Sequence, residues 1–433
     1  MEINLKHCMR SGIAAIALAG LASLAQAQDI KIGVIYDYTG PFAAGGSQAA
    51  AIGNKIAIDM INEKGGVEGH KIKPIYADAQ SKAEVAINEA TRLLDQEKVD
   101  LIMGVYSSAH CVPMAQKVDA AKKFMWANVC VASSVFKGKN LTHVFRAQVH
   151  SDQFGAGSCA FLNENAKKYL KKDPKDLKVA IIHEDGPYGS GVASGNEENC
   201  KKYGMQVVLK EGYSATAPDL SSLITKLRRA RADVILHTGY NPDITLFWRQ
   251  AKEQGLKWAA LIGHGAGYGQ FDKLKAAFGK EAEYIYNVDP VAAQLLDPKT
   301  LKPGLGELTQ EMVKRYKAES KATVVPPHVS MGFNQAWIFF TDVLPRAIKK
   351  YGGYDPEALR KAALETNIPV GGTIQGYGVK FFPPGTPMSG QNELSSPVVM
   401  QYQGGQTKIV WPTAIKTADP VLPIPKSSAY SNQ

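Results

Sequence analysis

From Asp29 onward the chain alternates short apolar runs with amphipathic stretches, joined by connections of a few residues. No other feature restricts the fold as much. Ile30–Ile35 reads as a strand, and Ser47–Lys64 has helical periodicity and ends at Gly65-Gly66. Ile72–Ala77 is a strand, Lys82–Gln96 a helix and Val99–Met103 a strand. A helix follows from Ser108 to about Lys123, then a strand at Phe124–Val129. After Val144–Val149 the pattern restarts, with helices at Asp152–Lys171, Gly191–Tyr203, Asp219–Ala230 and Asp243–Gly255. Between them lie strands at Lys178–His183, Gln206–Leu209, Asp233–His237 and Ala259–Gly263. Alternation of this kind predicts an α/β protein with doubly wound parallel sheets, whose right-handed crossovers leave ligand space at the carboxyl ends of the strands. Two such units facing each other make a cleft.

The remainder is expected to return and complete both units. Tyr284–Val288 is a strand, and Pro303–Ser320, Val329–Lys350 and Asp355–Thr366 are helices. Gly371–Gly378 is rich in turns, Pro397–Trp411 reads as a hairpin, and Asp419–Gln433 as an extended tail.

Within the first unit, Val99–Ala115 carries a specific chemical expectation. Leu101, Ile102 and Met103 form a strand buried on both faces, and Gly104 ends it. Ser107 and Ser108 stand where the next helix begins. A strand feeding a helix through a hydroxyl-rich turn presents free N–H groups and the positive end of a helix dipole, a seat for a carboxylate. Ser-Ser before a helix also serves as a plain cap.

The N-terminus has the layout of a secretory leader. Lys6 and Arg10 precede an apolar segment from Ile13 to Leu24, too short to span a bilayer, followed by Ala25-Gln26-Ala27. Cleavage after Ala27 would start the mature chain at Gln28, exported and soluble. The formal charge of +10 falls to +9 without Glu2, Lys6 and Arg10, and the basic residues are scattered over helices, which argues against a nucleic-acid partner. Four cysteines remain. Cys111–Cys130 and Cys159–Cys200 are the favoured bridges, each within one α/β half, with buried free thiols as the alternative. No spacing of Cys and His resembles a metal site, and no cofactor is expected.

In sequence order the chain resembles the Leu/Ile/Val-binding family of periplasmic solute-binding proteins, the receptor subunits of ABC importers. The resemblance rests on Ile32–Phe42, which includes Tyr38, on Asp59–Gly66, Tyr188-Gly189 and Tyr240–Asp243, and on Gly390–Asn392 with Met400-Gln401. It implies two Rossmann-like lobes joined by a three-strand hinge, the type I architecture, closing on a ligand by hinge motion and docking as a monomer on an inner-membrane permease. The implied division is a signal peptide at 1–27, a first lobe of 28–148 plus 288–370, and a second of 149–287 plus 371–433 with the tail. The crossovers fall near Ala147–His150, Tyr286–Pro290 and Pro369–Thr373.

In the family's amino-acid binders the turn after the third strand holds the ligand carboxylate; it matches Ser107-Ser108. A second group matches Ala132 and Ser133, and the second lobe closes with aromatics that match Tyr188 and Tyr240. Those binders hold the ligand ammonium with an acidic residue on the loop after the strand at Ala259–Gly263. Here Gly265 stands in its place, and the loop has no Asp or Glu before Asp272. A buried ammonium without a countercharge is prohibitive. The expected ligand is therefore a small carboxylate without an α-ammonium, an aromatic acid flanked by Tyr106, Tyr188, Tyr240 and Tyr268. A branched-chain amino acid or an amide is the alternative. His110, His264 and His328 fall near cleft loops, and His264 joins Tyr38 among the candidate contacts.

Enzyme readings are weaker. The glycines of Gly263–Gly269 lack the acidic partner of a dinucleotide fingerprint, His183-Glu184-Asp185 lacks metal spacing, and Gly189-Ser190-Gly191 is not a nucleophile elbow. A hydrolase on an α/β scaffold is the remaining alternative; the expectation is capture without catalysis.

Overall fold

The computed structural model describes residues 28–433, so the leader lies outside the described residues. The first sheet contains β1 (Ile30–Tyr36), β2 (Ile72–Asp78), β3 (Leu101–Gly104), β4 (Phe124–Ala127) and β5 (Val144–Phe145), all parallel, in the order β2-β1-β3-β4-β5. The strand order reverses beside β1, and β1 and β3 are buried along nearly their whole length, as a sheet covered on both faces requires. Helices α1 (Gln48–Glu63), α2 (Ala83–Asp95) and α3 (Ser108–Ala120) make the crossovers.

The second lobe opens with α4 (Ser151–Asn165). It contains β6 (Lys178–Glu184), α5 (Pro187–Lys202), β7 (Gln206–Tyr213), α6 (Ser221–Ala230), β8 (Val234–Thr238), α7 (Asn241–Glu253), β9 (Ala260–His264), α8 (Phe271–Phe278) and β10 (Tyr286–Asp289). The chain then passes back to the first lobe, where α9 (Leu305–Ser320), α10 (Pro327–Ile338), α11 (Leu344–Tyr351) and α12 (Pro356–Leu364) pack, and β11 (Asn367–Ile368) pairs with β12 (Val379–Lys380). Finally β13 (Val398–Gln403) and β14 (Gln406–Trp411) add an antiparallel edge to the second sheet, whose order is β14-β13-β10-β9-β8-β6-β7. The result is two α/β lobes crossed three times by one chain.

The third crossover comes later than expected. Phe381 packs edge-on against Trp126 and Phe145, Gly138 N–H donates to Pro387 O, and Arg146 N–H to Gly390 O. Residues 371–392 therefore lie on the first lobe, and the chain changes lobes between Asn392 and Val398 instead of at 369–373. A turn-rich stretch has no hydrophobic period to tie it to one core, so its lobe was not legible. The tail also differs from expectation. Tyr430 stacks on Trp258 with ring centroids 4.6 Å apart, meets Trp248 edge-on, and donates its hydroxyl to Trp248 O. Its burial makes the last residues part of the second core.

Both favoured cysteine pairs are bridged, Cys111–Cys130 joining α3 to the loop after β4 and Cys159–Cys200 joining α4 to α5. The second spans 41 residues. Replacing Cys159 and Cys200 together by serine is expected to lower the unfolding free energy by about 4 kcal/mol, mostly by freeing the unfolded chain; urea titration with and without the bridge measures it.

Candidate functional site

Where the two lobes face each other, residues from both line a cavity of only about 30 Å³, far below the roughly 300 to 1,000 Å³ of ligand sites, so the lobes are drawn nearly together over it. The first lobe supplies Tyr106 and Ser108, Val129 and Val131 after β4, and His328 and Met331 on α10. The second supplies Phe154 on α4, Tyr188 on α5, Tyr240 before α7, Gly265 and Ala266 after β9, and Asp289 at the end of β10. Most of these sit at the carboxyl ends of parallel strands, where a doubly wound sheet leaves its crevice.

The start of α3 brings hydroxyls to the cavity. Ser107 caps the helix, its Oγ accepting from Ala109 N–H at 3.2 Å. Ser108 Oγ accepts from Ala132 N–H at 3.1 Å, which fixes the hydroxyl at the cavity while leaving its O–H available to an anion. The helix adds its dipole and its first N–H groups.

Contacts across the cleft seal the mouth. The rings of Phe42 and Tyr240 lie 4.3 Å apart, Gln270 Nε2 reaches His328 Nδ1 at 2.9 Å, and Lys273 on α8 donates to Ala44 O. Tyr106 donates to Gly45 O at 2.7 Å, holding the loop that carries Phe42. Burial pushes His328 down to about 3, the charge of Lys273 adding to the effect, so the ring is neutral and accepts from Gln270. Burial likewise raises the hydroxyls of Tyr106, Tyr188 and Tyr240, which stay protonated donors.

Of the residues singled out from the sequence, Tyr106, Ser108, Tyr188, Tyr240 and Gly265 meet at this cavity. Ala132 stands behind it and holds Ser108 through its N–H, while Ser107 caps α3 and its side chain also meets the Tyr240 hydroxyl of the second lobe. Ser133 is turned into the first crossover, where its Oγ lies 2.7 Å from Asp152 Oδ1, 2.9 Å from Ser151 Oγ and 3.1 Å from His150 Nδ1. Tyr38 lines a surface groove with Tyr76 and Lys55 instead. His264 is spent inside the second lobe, on Ser158 Oγ at 2.8 Å and Thr238 Oγ1 at 2.9 Å; only its carbonyl serves the site, accepting from Tyr188 at 2.6 Å. Tyr268 also points inward. Its hydroxyl lies 2.6 Å from His237 Nδ1, and its ring lies flat against Gly263, where a Cβ would stand 2.5 Å from Tyr268 Cδ1. His110 faces Asp37 at 3.4 Å, away from the cavity lining.

One expectation is corrected outright: the cleft does contain a carboxylate. Asp289 enters not from the loop after β9 but from the neighbouring strand, and it is 1 % exposed. It lies beside Gly265, where a Cβ would stand in ordinary contact with Asp289 Oδ1 at 3.4 Å and tighter, at 3.1 Å, against the Tyr188 hydroxyl. Burial pushes the Asp289 carboxyl up to about 8. The available signal was its place, the first residue past an apolar run read as a strand.

Comparison with known proteins agrees with this geometry. Residues 29–387 match the family model described as periplasmic binding protein. A relative from Brucella suis, named Leu/Ile/Val-binding protein homolog 7, is 35% identical over 418 residues, 96% of this chain and 99% of that protein. The branched-chain amino acid transporter substrate binding protein LivJ of Streptococcus pneumoniae, solved with isoleucine, superposes with a TM-score of 0.70 at 18% identity, covering 89% of this chain and all of that one. An ABC transporter solute binding protein of R. palustris, solved with benzoate, gives 0.71 at 17% identity, covering 92% and 99%. The two-lobed type I fold, the cavity between the lobes and the match along most of the chain lead to one assignment: this chain belongs to the periplasmic binding protein family.

Proposed function

We propose that this protein is the receptor of an ABC importer that captures a small carboxylate-bearing solute with an apolar body, as an exported monomer, and delivers it to an inner-membrane permease without altering it. The observation that carries the proposal is the seat at the start of α3, where the Ser108 hydroxyl faces a cavity closed over by both lobes. The ligand carboxylate docks there on the first lobe. Tyr188 and Tyr240 then arrive with the second, and contacts made only after the lobes meet bias the hinge toward closure.

Two finer readings share this site. An aromatic acid is favoured by the rings of Tyr106, Tyr188, Tyr240 and Phe154, and the benzoate receptor shows that the fold accommodates such a ligand. A branched-chain amino acid is favoured by the name of the Brucella relative and by the isoleucine complex. Asp289 separates them.

The receptor reading is tested by refolding the protein free of carried-over ligand and measuring melting temperature against a panel of amino, aliphatic and aromatic acids. A true ligand at a hundred times its Kd is expected to stabilise the fold by about 2.7 kcal/mol and to be recovered unchanged. Ser108→Ala is expected to weaken that ligand tenfold to a hundredfold, the worth of one hydrogen bond to a charged group. Turnover of the ligand, or full affinity in S108A, rejects the reading.

A further inference from the structure

We infer that the second lobe carries a basic notch that docks on an anionic phospholipid surface, at the end of the lobe away from the cleft. The inference goes beyond the receptor reading and holds whatever solute is captured.

Along the sequence the basic residues are scattered, yet the fold gathers four of them. Lys178 at the start of β6 and Arg228, Arg229 and Arg231 at the end of α6 line one open notch, whose other walls are Thr225 and Ala230. Helix α6 buries Leu223, Ile224 and Leu227, so its opposite face is turned to water. All four cations are exposed. Among the described residues, none has a carboxylate within 4.0 Å, and their side chains make no hydrogen bond.

Elsewhere the chain pairs such groups. Arg92, Arg315, Arg346 and Arg360 each grip a carboxylate, and Lys226, on the same helix as the notch arginines, is paired with Glu211. The acid beside the notch, Asp233, is already spent on Lys172 at 2.6 Å and on the Lys178 N–H at 2.9 Å. The carboxyl end of α6 offsets only roughly half a charge. Like charges held together in this way repel, and an anion from outside relieves them.

The chemistry of the notch selects the anion. It has no aromatic or large aliphatic residue. It therefore lacks both the apolar anchor of a protein interface and the stacking platform of a nucleic-acid site. What it offers is an open array of charge, three of its members being planar forks suited to phosphate oxygens. A bilayer surface presents phosphates in the same open way, and each Lys or Arg near it adds about fivefold to binding. The position fits as well. Lys178 opens β6 and Arg231 lies just before β8, so the seven residues of β6, roughly 20 Å of strand, separate the notch from the cleft. A receptor held there keeps its cleft free to open and searches for its permease in two dimensions.

The test is co-sedimentation of the chain from Gln28 onward with vesicles of phosphatidylglycerol and phosphatidylcholine, about 3:7, and of phosphatidylcholine alone. Binding to the anionic vesicles is expected at about 20 mM salt and to fall about tenfold or more by about 200 mM, with none to the neutral ones. Replacing Arg228, Arg229 and Arg231 together by alanine is expected to lower it about a hundredfold, at about fivefold per arginine. Replacing Lys73, Lys117 and Lys139 by alanine removes the same charge from exposed positions of the first lobe and is expected to cost less than about threefold. Equal losses in the two variants would reduce the effect to net charge and overturn the inference. Equal binding to neutral vesicles would overturn it too, and binding to neither would leave the notch to a protein partner. Release by about 10 mM glycerol phosphate would make it a pocket for a free phosphate ester instead of a membrane contact. The arginine variant is expected to keep the wild-type melting-temperature response to solute, so failure here and failure of the receptor reading are read separately.

Discussion

Replacing Gly332 by alanine is expected to lower the unfolding free energy by about 3 kcal/mol or more, although alanine is the better helix former by about 1 kcal/mol. Helices α1 and α10 cross at close range. A Cβ at Gly332 would stand 2.7 Å from Ala50 C and closer still to its oxygen, and one at Gly53 would meet Val329 C at 3.0 Å and its oxygen closer still. Each helix presses its backbone into the glycine of the other. Neither obstacle is a flexible side chain, so the helices must part. Gly157 on α4 is the control, because a Cβ there would meet only side chains, the nearest being Pro397 Cγ at 3.4 Å. Gly157→Ala is expected to leave stability unchanged or to raise it by up to about 1 kcal/mol. Denaturant midpoints of the two variants decide the matter. The crossing also sets the site, since α10 carries His328 and Met331 to the cavity; G332A is expected to weaken ligand binding as well as the fold.

The second large effect is in pH. In an open, wet cleft Asp289 has the ordinary value of 3.8, and burial raises it to about 8. A desamino acid closes the cleft over a carboxyl that must then hold a proton. That contribution to binding is full below pH 3.8 and is lost as pH rises to about 8, tenfold per unit. His328 runs the other way. Its value falls from 6.5 to about 3 on burial, so closure on any ligand is favoured above pH 6.5 and opposed below it. For a desamino acid the two slopes cancel between pH 4 and 6.5, and affinity then falls about thirtyfold by pH 8. For an amino acid, whose ammonium keeps Asp289 ionised throughout, affinity is flat from pH 6.5 to 8 and falls tenfold per unit below. Groups that do not touch the amine drop out of the ratio of the two affinities, which makes that ratio the quantity to measure. A ratio independent of pH between 6.5 and 8 would show that the Asp289 carboxyl does not face the bound ligand.

Much of this architecture is legible before any coordinate. The alternation of apolar runs and amphipathic stretches specifies both sheets, because a strand buried on two faces and a helix buried on one leave different periods in the sequence. The place of Ser108 at the cavity is equally legible, being local to one strand, turn and helix. What escapes is whatever depends on a partner distant in the chain. Tyr268 and His264 sit on a cleft loop yet turn inward, since Gly263 opens a slot for one ring and Ser158 and Thr238 capture the other. Asp289 reaches the cavity from the end of β10, whose neighbour in the sheet, β9, is fixed by pairing and not by local sequence. Local periodicity carries no trace of either arrangement. The late third crossover has the same cause, as its segment is held by Phe381 in a distant aromatic pocket.

The docked tail has a practical consequence. Gln28, the first residue described, has its carbonyl against His70 of one lobe, while Ser431 pairs with Trp258 of the other. Gln28 and Ser431 thus lie on opposite lobes. Dyes attached at cysteines placed beside Gln28 and Ser431 would be carried with the two lobes, so energy transfer between them would read out occupancy directly, with no label inside the binding site.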